Sequence, residues 1–252
     1  MSVVRRPDNP RGLRDLPFAV EQASPNERAR ARRLAAALAE HYADAYCELD
    51  HSNAHELLIA TILSAQSTDA GVNKATPGLF RAFRTPGEYA AADPRDIEPY
   101  IKTIGLFRNK AKSIQAAMAS VCEDFGGEVP GTMDELLTLR GVARKTANVV
   151  LGNAFDTNAG FVVDTHVQRL SYRFGLTDDP KLDPKKVEQR LVALFPRDQW
   201  CNLSHRMIFH GRRACSARPN CAHDHPICRG FGVNCPKPSR APQKASKKST
   251  PA

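Results

Sequence analysis

Helix-start signals recur at short intervals along this sequence, and they constrain the fold more than any other feature. Asn53 and Glu56 form a capping-box pattern ahead of the apolar run Leu57 to Leu63, and Thr132 and Glu135 repeat it before Leu136 and Leu137. Pro86 follows Thr85, and Pro184 follows Asp183, each at a first-turn position. Leu34, Leu38 and Tyr42 share a helical face, as do Val187, Leu191 and Leu194. Ile114, Met118, Val121 and Phe125 form another stripe, with Gly126 as its stop. Phe161 to Val163 could pass for a strand but has no partner strand to pair with. The expected fold is therefore all-α, made of many short helices. Such an architecture suits a body of two helical lobes with a cleft.

Composition narrows the partners. Of 252 residues, 42% are hydrophobic and only 7% aromatic, so the core should rest on aliphatic and alanine side chains. A formal net charge of +9 points to a polyanion. Nucleic acid is the first candidate and an anionic membrane surface the second. No stretch approaches the ~20 apolar residues of a membrane span, and the N-terminus has no signal-peptide core. A soluble, cytoplasmic, nucleoid-associated monomer is expected. In that setting the seven cysteines read as thiols or metal ligands rather than a disulfide framework. Cys47, Cys122 and Cys201 read as buried small hydrophobes in helices. Residues 1–26 and 236–252 are basic and Pro-rich without periodicity, and read as disordered tails.

The most informative segment runs from Leu139 to Leu151, LRGVARKTANVVL. A short helix ends near Leu137, a glycine-containing turn follows, and a new helix begins near Ala143. A helix N-terminus presents unpaired N–H groups and a positive dipole end, and Gly141 lets the backbone come close to an anion. Such a hairpin grips a phosphate without reading sequence. Lys145 falls in the first turns of the second helix. There the dipole and a sheltered cleft would both disfavour the protonated amine and make it a usable nucleophile. An isolated, solvated lysine would look the same in sequence. Asp164, in VDTHVQRL, stands at a helix N-cap position. A capping carboxylate can also hold charge opposite a reacting sugar.

LRGVARKTANVVLGNAF and VDTHVQRL together resemble the helix–hairpin–helix DNA glycosylases, and within them the endonuclease III family. NAHELLIATILSAQSTD (53–69) and YIKTIGLFRNK (100–110) extend the resemblance, which covers residues 27 to 235. It implies a six-helix lobe at 47–157 and a second lobe from 27–46 plus 158–235. It also implies a base-excision repair enzyme, both glycosylase and AP lyase, acting on oxidised pyrimidines in double-stranded DNA and on abasic sites. Lys145 would attack C1′ and form a Schiff base that permits β-elimination, and Asp164 would assist. Arg140, Gly141, Ala143, Arg144 and Thr146 would hold the DNA backbone. Gln66 would fill the space left by a flipped nucleotide, and Leu106 and Phe107 would wedge the opposite strand. Asp69 and His166 would line the pocket. The chain departs from the family where Arg140 replaces Pro and Ala143 replaces Gly.

Cys215, Cys221, Cys228 and Cys235 are spaced C-x5-C-x6-C-x6-C. The family carries a [4Fe–4S] cluster here, on C-x6-C-x2-C-x5-C. Three readings follow: the cluster on re-routed loops, tetrahedral zinc, or loss of the site. His223 or His225 could replace a cysteine. Arg212, Arg213, Arg218 and Arg229 read as phosphate contacts beside it. Two other functions fit parts of the pattern. A non-catalytic helix–hairpin–helix binding module would need neither Lys145 nor Asp164. An adenine-mismatch glycosylase usually lacks the lysine.

Overall fold

The structure is a computed structural model that describes residues 9, 12–218 and 225–235. Among these residues it contains helices and no strand, so the all-α expectation holds and Phe161 to Val163 is extended but unpaired. The helices are α1 (Pro25–His41), α2 (Ala54–Ser64), α3 (Asp69–Ala82), α4 (Pro86–Ala91), α5 (Pro94–Ile101) and α6 (Phe107–Phe125). They continue with α7 (Met133–Leu136), α8 (Arg144–Ala154), α9 (Thr165–Arg173), α10 (Pro184–Leu194), α11 (Trp200–Arg213) and α12 (Pro226–Phe231).

The chain divides into two compact units. One comprises residues 46–162 and 197–201. Its centre is α2, in which every residue from Leu57 to Leu63 is buried. A helix that is apolar on all sides needs neighbours all round it, and α3, α6 and α8 pack against it. Helices α4 and α5 pack on α6, whose buried Ile114, Met118 and Val121 are the stripe seen in the sequence. Gly126 ends α6 in the left-handed conformation, at φ +64°.

The other unit comprises residues 1–45, 163–196 and 202–252. Leu34, Leu38, Leu170, Phe174, Val187, Leu191, Leu203 and Met207 are buried there. In this unit α1 packs on α10 and α12, and α10 packs on α9.

The caps expected at Asn53, Thr85, Thr132, Asp164 and Asp183 are present. At Asn53 and Thr132 the expected box is not closed, since Oε2 of Glu56 accepts from the N–H of Ser52 at 2.6 Å and Oε2 of Glu135 from the Thr132 hydroxyl at 2.6 Å. Ser24 and Thr85 form full capping boxes. Asn53, Thr68, Asp93, Thr132, Asp164 and Asp183 each accept a backbone N–H at their helix start. Two helices depart from this pattern: α6 opens on Leu106 and α8 on Ala143, neither with a side-chain cap. The amide groups of these two first turns are thus left to other partners.

Candidate nucleic-acid interface and metal centre

The turn into α8 is built on Gly141. Its φ is +83°, and a Cβ there would stand 2.9 Å from Cβ of Ser113 on α6. Both the conformation and the close approach therefore call for glycine. Val142 is buried and anchors the turn, and its N–H bonds the carbonyl of Leu139 at 3.2 Å. Ala143, where the family has glycine, sits at φ −99° and ψ 169°, ordinary extended backbone. The alanine is accommodated because this position needs no left-handed conformation. Arg140 is exposed, and a guanidinium nitrogen of Arg144 reaches the carbonyl of Ala159 at 3.4 Å. Lys145 is exposed and Thr146 half-buried, both in the first turn of α8. The shelter expected around Lys145 is therefore not supplied by its own helix.

The second unit places Asp164 at the start of α9. Its Oδ1 accepts from the N–H of His166 and of Val167, both at 2.8 Å. The capping role expected from sequence is present, and it uses one carboxylate oxygen. His166 is half-buried, and its Nδ1 accepts from Nη2 of Arg169 at 3.1 Å. Burial pulls its pKa below the usual imidazole value, against the opposing pull of Asp164. A Cβ on Gly211 would lie 2.9 Å from His166, so the glycine lets α11 approach α9.

Two exposed residues in the first unit share an uncommon backbone. Gln66, in the turn after α2, has φ +55°, and Leu106, just before α6, has φ +58°. Leu106 is 59% exposed. Phe107 behaves differently: it is half-buried against the core, and the Arg108 guanidinium lies 5.1 Å above its ring. Leu106 is thus the projecting member of the pair. Asp69 is half-buried at the first position of α3.

The cysteine segment hangs on α9. Nη1 of Arg173 donates to Sγ of Cys215 at 2.9 Å and to the carbonyl of Ser216 at 2.7 Å. Nη2 of Arg169 donates to the carbonyls of Gly211 and Cys215, both at 2.9 Å. At the far end, the carbonyl of Arg173 accepts from the N–H of Val233 at 2.8 Å and of Asn234 at 3.1 Å. One helix therefore pins both ends of the segment.

Within it, His210, Cys215 and Cys228 are buried, and their ligand atoms lie within 4.8 Å of one another. Nε2 of His210 stands 3.3 Å from Sγ of Cys228, and Nδ1 shares a hydrogen bond with the Tyr42 hydroxyl at 2.9 Å. Bonding to Cys228, then to His210 and Arg173, brings the Cys215 thiol down to about 4 against the effect of burial. Two thiols and an imidazole form a soft donor set that suits zinc or an iron–sulfur centre rather than calcium or magnesium. The residues thus form a Cys/His site able to hold a metal. Cys235 is half-buried and outside this set. Its Sγ lies 2.8 Å from where a Cβ on Gly232 would stand, so glycine there makes room for the thiol. Cys221 and His223 lie outside the described residues. His225 caps α12, its Nδ1 accepting from Ile227 at 3.3 Å. Arg212, Arg213, Arg218 and Arg229 are exposed, and Arg213 lies over the Phe209 ring at 3.8 Å.

Cys47 departs from expectation: it lies in the extended stretch after α1 rather than in a helix, and it is half-buried. Cys122 and Cys201 are helical but also only half-buried, and burial raises the Cys201 thiol to about 11. Four functional candidates escaped the sequence reading: Lys110, Arg169, Arg173 and His210. For Lys110 and His210 the signal was a polar residue on an apolar stripe. Lys110 falls in register with Ile114 and Met118, and His210 with Leu203 and Met207.

Comparison with known proteins agrees with this geometry. Residues 59–197 match the model of the HhH-GPD superfamily of base excision DNA repair proteins. Endonuclease III of Synechocystis sp. is 50% identical over 193 residues, which is 77% of this chain and 87% of that one. Endonuclease III of Bacillus subtilis is 48% identical over 181 residues, 71% and 81% of the two chains. A solved non-covalent endonuclease III–DNA complex superposes with a TM-score of 0.76 at 43% identity, covering 81% of this chain and 94% of that one. No helix among the described residues is long and apolar enough to cross a membrane. By fold, hairpin and relatives, the chain belongs to the HhH-GPD superfamily of base excision DNA repair proteins, within the endonuclease III family.

Proposed function

We propose that this DNA glycosylase is bifunctional, removing oxidised pyrimidines from double-stranded DNA and then nicking the strand. The observation that carries the reading is Lys145, a primary amine exposed in the first turn of a helix without a side-chain cap, directly after the Gly141 turn. The positive end of a helix that begins after a glycine turn favours a phosphate. Arg140, Arg144 and Thr146 would add contacts to the same backbone. The covalent DNA intermediate trapped in a relative 44% identical supports a nucleophilic route.

The Nζ lone pair of unprotonated Lys145 attacks C1′, and the glycosidic bond breaks, with the base leaving on its electron pair and gaining a proton. Opening of the sugar then gives a Schiff base between Nζ and C1′. This cation acts as an electron sink. A proton is lost from C2′, and the 3′ phosphate departs. Asp164 would accept the proton from Lys145 or hold its carboxylate against the positive charge on the sugar. Gln66 would fill the space left by the extruded nucleotide, and Leu106, anchored by Phe107, would wedge the opposite strand. Asp69 and His166 would contact the damaged base. Arg212, Arg213, Arg218 and Arg229 would meet phosphates.

For the metal site, Cys215 and Cys228 would be joined by Cys221 and Cys235 around a [4Fe–4S] cluster. Such a group would act structurally, holding the segment that α9 carries. Zinc on cysteines and His210 is the competing occupant.

Borohydride trapping on duplexes containing thymine glycol or an abasic site tests the chemistry. A covalent adduct is expected from the parent and none from Lys145→Ala. An adduct that survives this substitution overturns the assignment. A visible absorption spectrum of anaerobically purified protein, with iron, sulfide and zinc analysis, tests the occupant. A broad visible band with matching iron and sulfide supports the cluster, whereas colourless zinc protein refutes it.

A further inference from the structure

Lys110 is 6% exposed, yet it is a cation. A buried ammonium is tolerated only when its donors are satisfied. Its Nζ donates to the carbonyls of Leu63 at 2.9 Å and Ala65 at 2.6 Å, and to Oγ of Ser67 at 3.0 Å. The two carbonyls belong to the C-terminal end of α2, where helix carbonyls lack intrahelical donors. Lys110 itself stands one turn after Leu106, to whose carbonyl its N–H makes the ordinary first-turn helix bond at 3.0 Å, so its side chain ties the start of α6 to the end of α2.

Its partners therefore bracket Gln66 on one side and include Leu106 on the other. Three non-glycine residues among those described have positive φ, and Gln66 and Leu106 are two of them. Such conformations persist where the surroundings over-determine them. The two turns also run close together, since a Cβ on Gly105 would lie 3.9 Å from the carbonyl of Gln66.

We infer that Lys110 is a positioning residue that holds the Gln66 and Leu106 turns in register, so that both side chains enter the duplex already oriented. The inference rests on the reading of Gln66 and Leu106 as the residues that fill the opened stack. It adds a buried residue that never meets DNA yet determines how readily DNA is opened.

The test pairs single-turnover excision of thymine glycol with fluorescence of 2-aminopurine placed beside the lesion, which reports unstacking. Lys110→Met should slow excision and blunt the fluorescence rise by about tenfold to a hundredfold, the range for losing hydrogen bonds to a charged group. Gln66→Ala should act in the same direction. In the double variant the losses should not multiply, because contacting residues that act as one unit are non-additive. Multiplying losses, or a folded Lys110→Met within about twofold of the parent, overturns the inference. A normal Gln66→Ala beside a damaged Lys110→Met overturns the reading of Gln66 and, with it, this role for Lys110. If Lys110→Met does not fold, Ser67→Ala removes one acceptor of the three. It should cost about threefold in the parent and nothing further in Gln66→Ala, as expected for one shared bond. No loss in the parent overturns the inference.

Discussion

Two lysines of the same unit, Lys110 and Lys145, stand in opposite surroundings. Lys110 is buried, its three donors are met by three acceptors, and burial pulls its pKa below the usual lysine value. Lys145 stands exposed in the first turn of α8. A fully satisfied ammonium is a rigid tie, because moving it would strand a charge and three acceptors away from water. A nucleophile must instead be free to approach a carbon atom and lose its proton. The surroundings, not the residue type, separate the tie from the proposed nucleophile.

The largest expected effect breaks this comparison on the side of chemistry. Lys145→Ala should abolish borohydride-trapped adducts while leaving thermal stability within about 0.5 kcal/mol, as for an exposed surface change. Lys110→Met should do the reverse in stability, costing about 1–3 kcal/mol by leaving buried acceptors unsatisfied. Thermal or urea unfolding of both variants measures this. Equal stability losses would remove the distinction.

Asp164 sharpens the comparison next, because it caps α9 and is also the proposed partner of Lys145. Asp164→Asn keeps an N-cap oxygen but not the charge. It should slow excision by about 10²–10⁴-fold with little change in melting temperature. Asp164→Ala should add about 1 kcal/mol of destabilisation through the lost cap. A melting loss as large for Asn as for Ala would mean the charge, not the cap, stabilises α9.

Smaller effects belong to the turn before Lys145. Gly141→Ala places a Cβ at φ +83° against Ser113 and should cost about 1–3 kcal/mol in unfolding experiments. It should also weaken DNA binding, since the turn must shift. Arg140→Ala is the mildest. It should lower the salt dependence of binding by about one unit of log–log slope, with no preference for sequence, if Arg140 meets a phosphate. An unchanged slope would make it an ordinary solvated arginine.

Much of the fold could be read directly, for local reasons. The caps at Asn53, Thr85, Thr132, Asp164 and Asp183 are bonds between a side chain and an amide two or three residues away, so spacing reveals them. The stripes on α6 and α10 mark buried faces for the same reason. The hairpin and Lys145 were legible because turn, glycine and helix start are contiguous.

Pairings across long stretches of sequence were not legible. Lys110 meets Leu63, Ala65 and Ser67 through contacts 43 to 47 residues apart. Arg173 meets Cys215 across 42 residues, and Tyr42 meets His210 across 168. His210 joins Cys215 and Cys228 only because α11 leads into the segment that α9 pins. The sequence nominated the thiols and, as substitutes, His223 or His225, but not His210.

The sequence by itself determined the all-helical class, the helix starts marked at Asn53, Thr85, Thr132, Asp164 and Asp183, the glycine in the turn before α8, and the lysine that follows it. These are interactions of the chain with its near neighbours, and their geometry repeats wherever the pattern occurs. Only the tertiary structure decided which polar side chains are buried and what satisfies them. Burial makes a missing partner costly, and the partners that remove that cost lie wherever folding brings distant segments together.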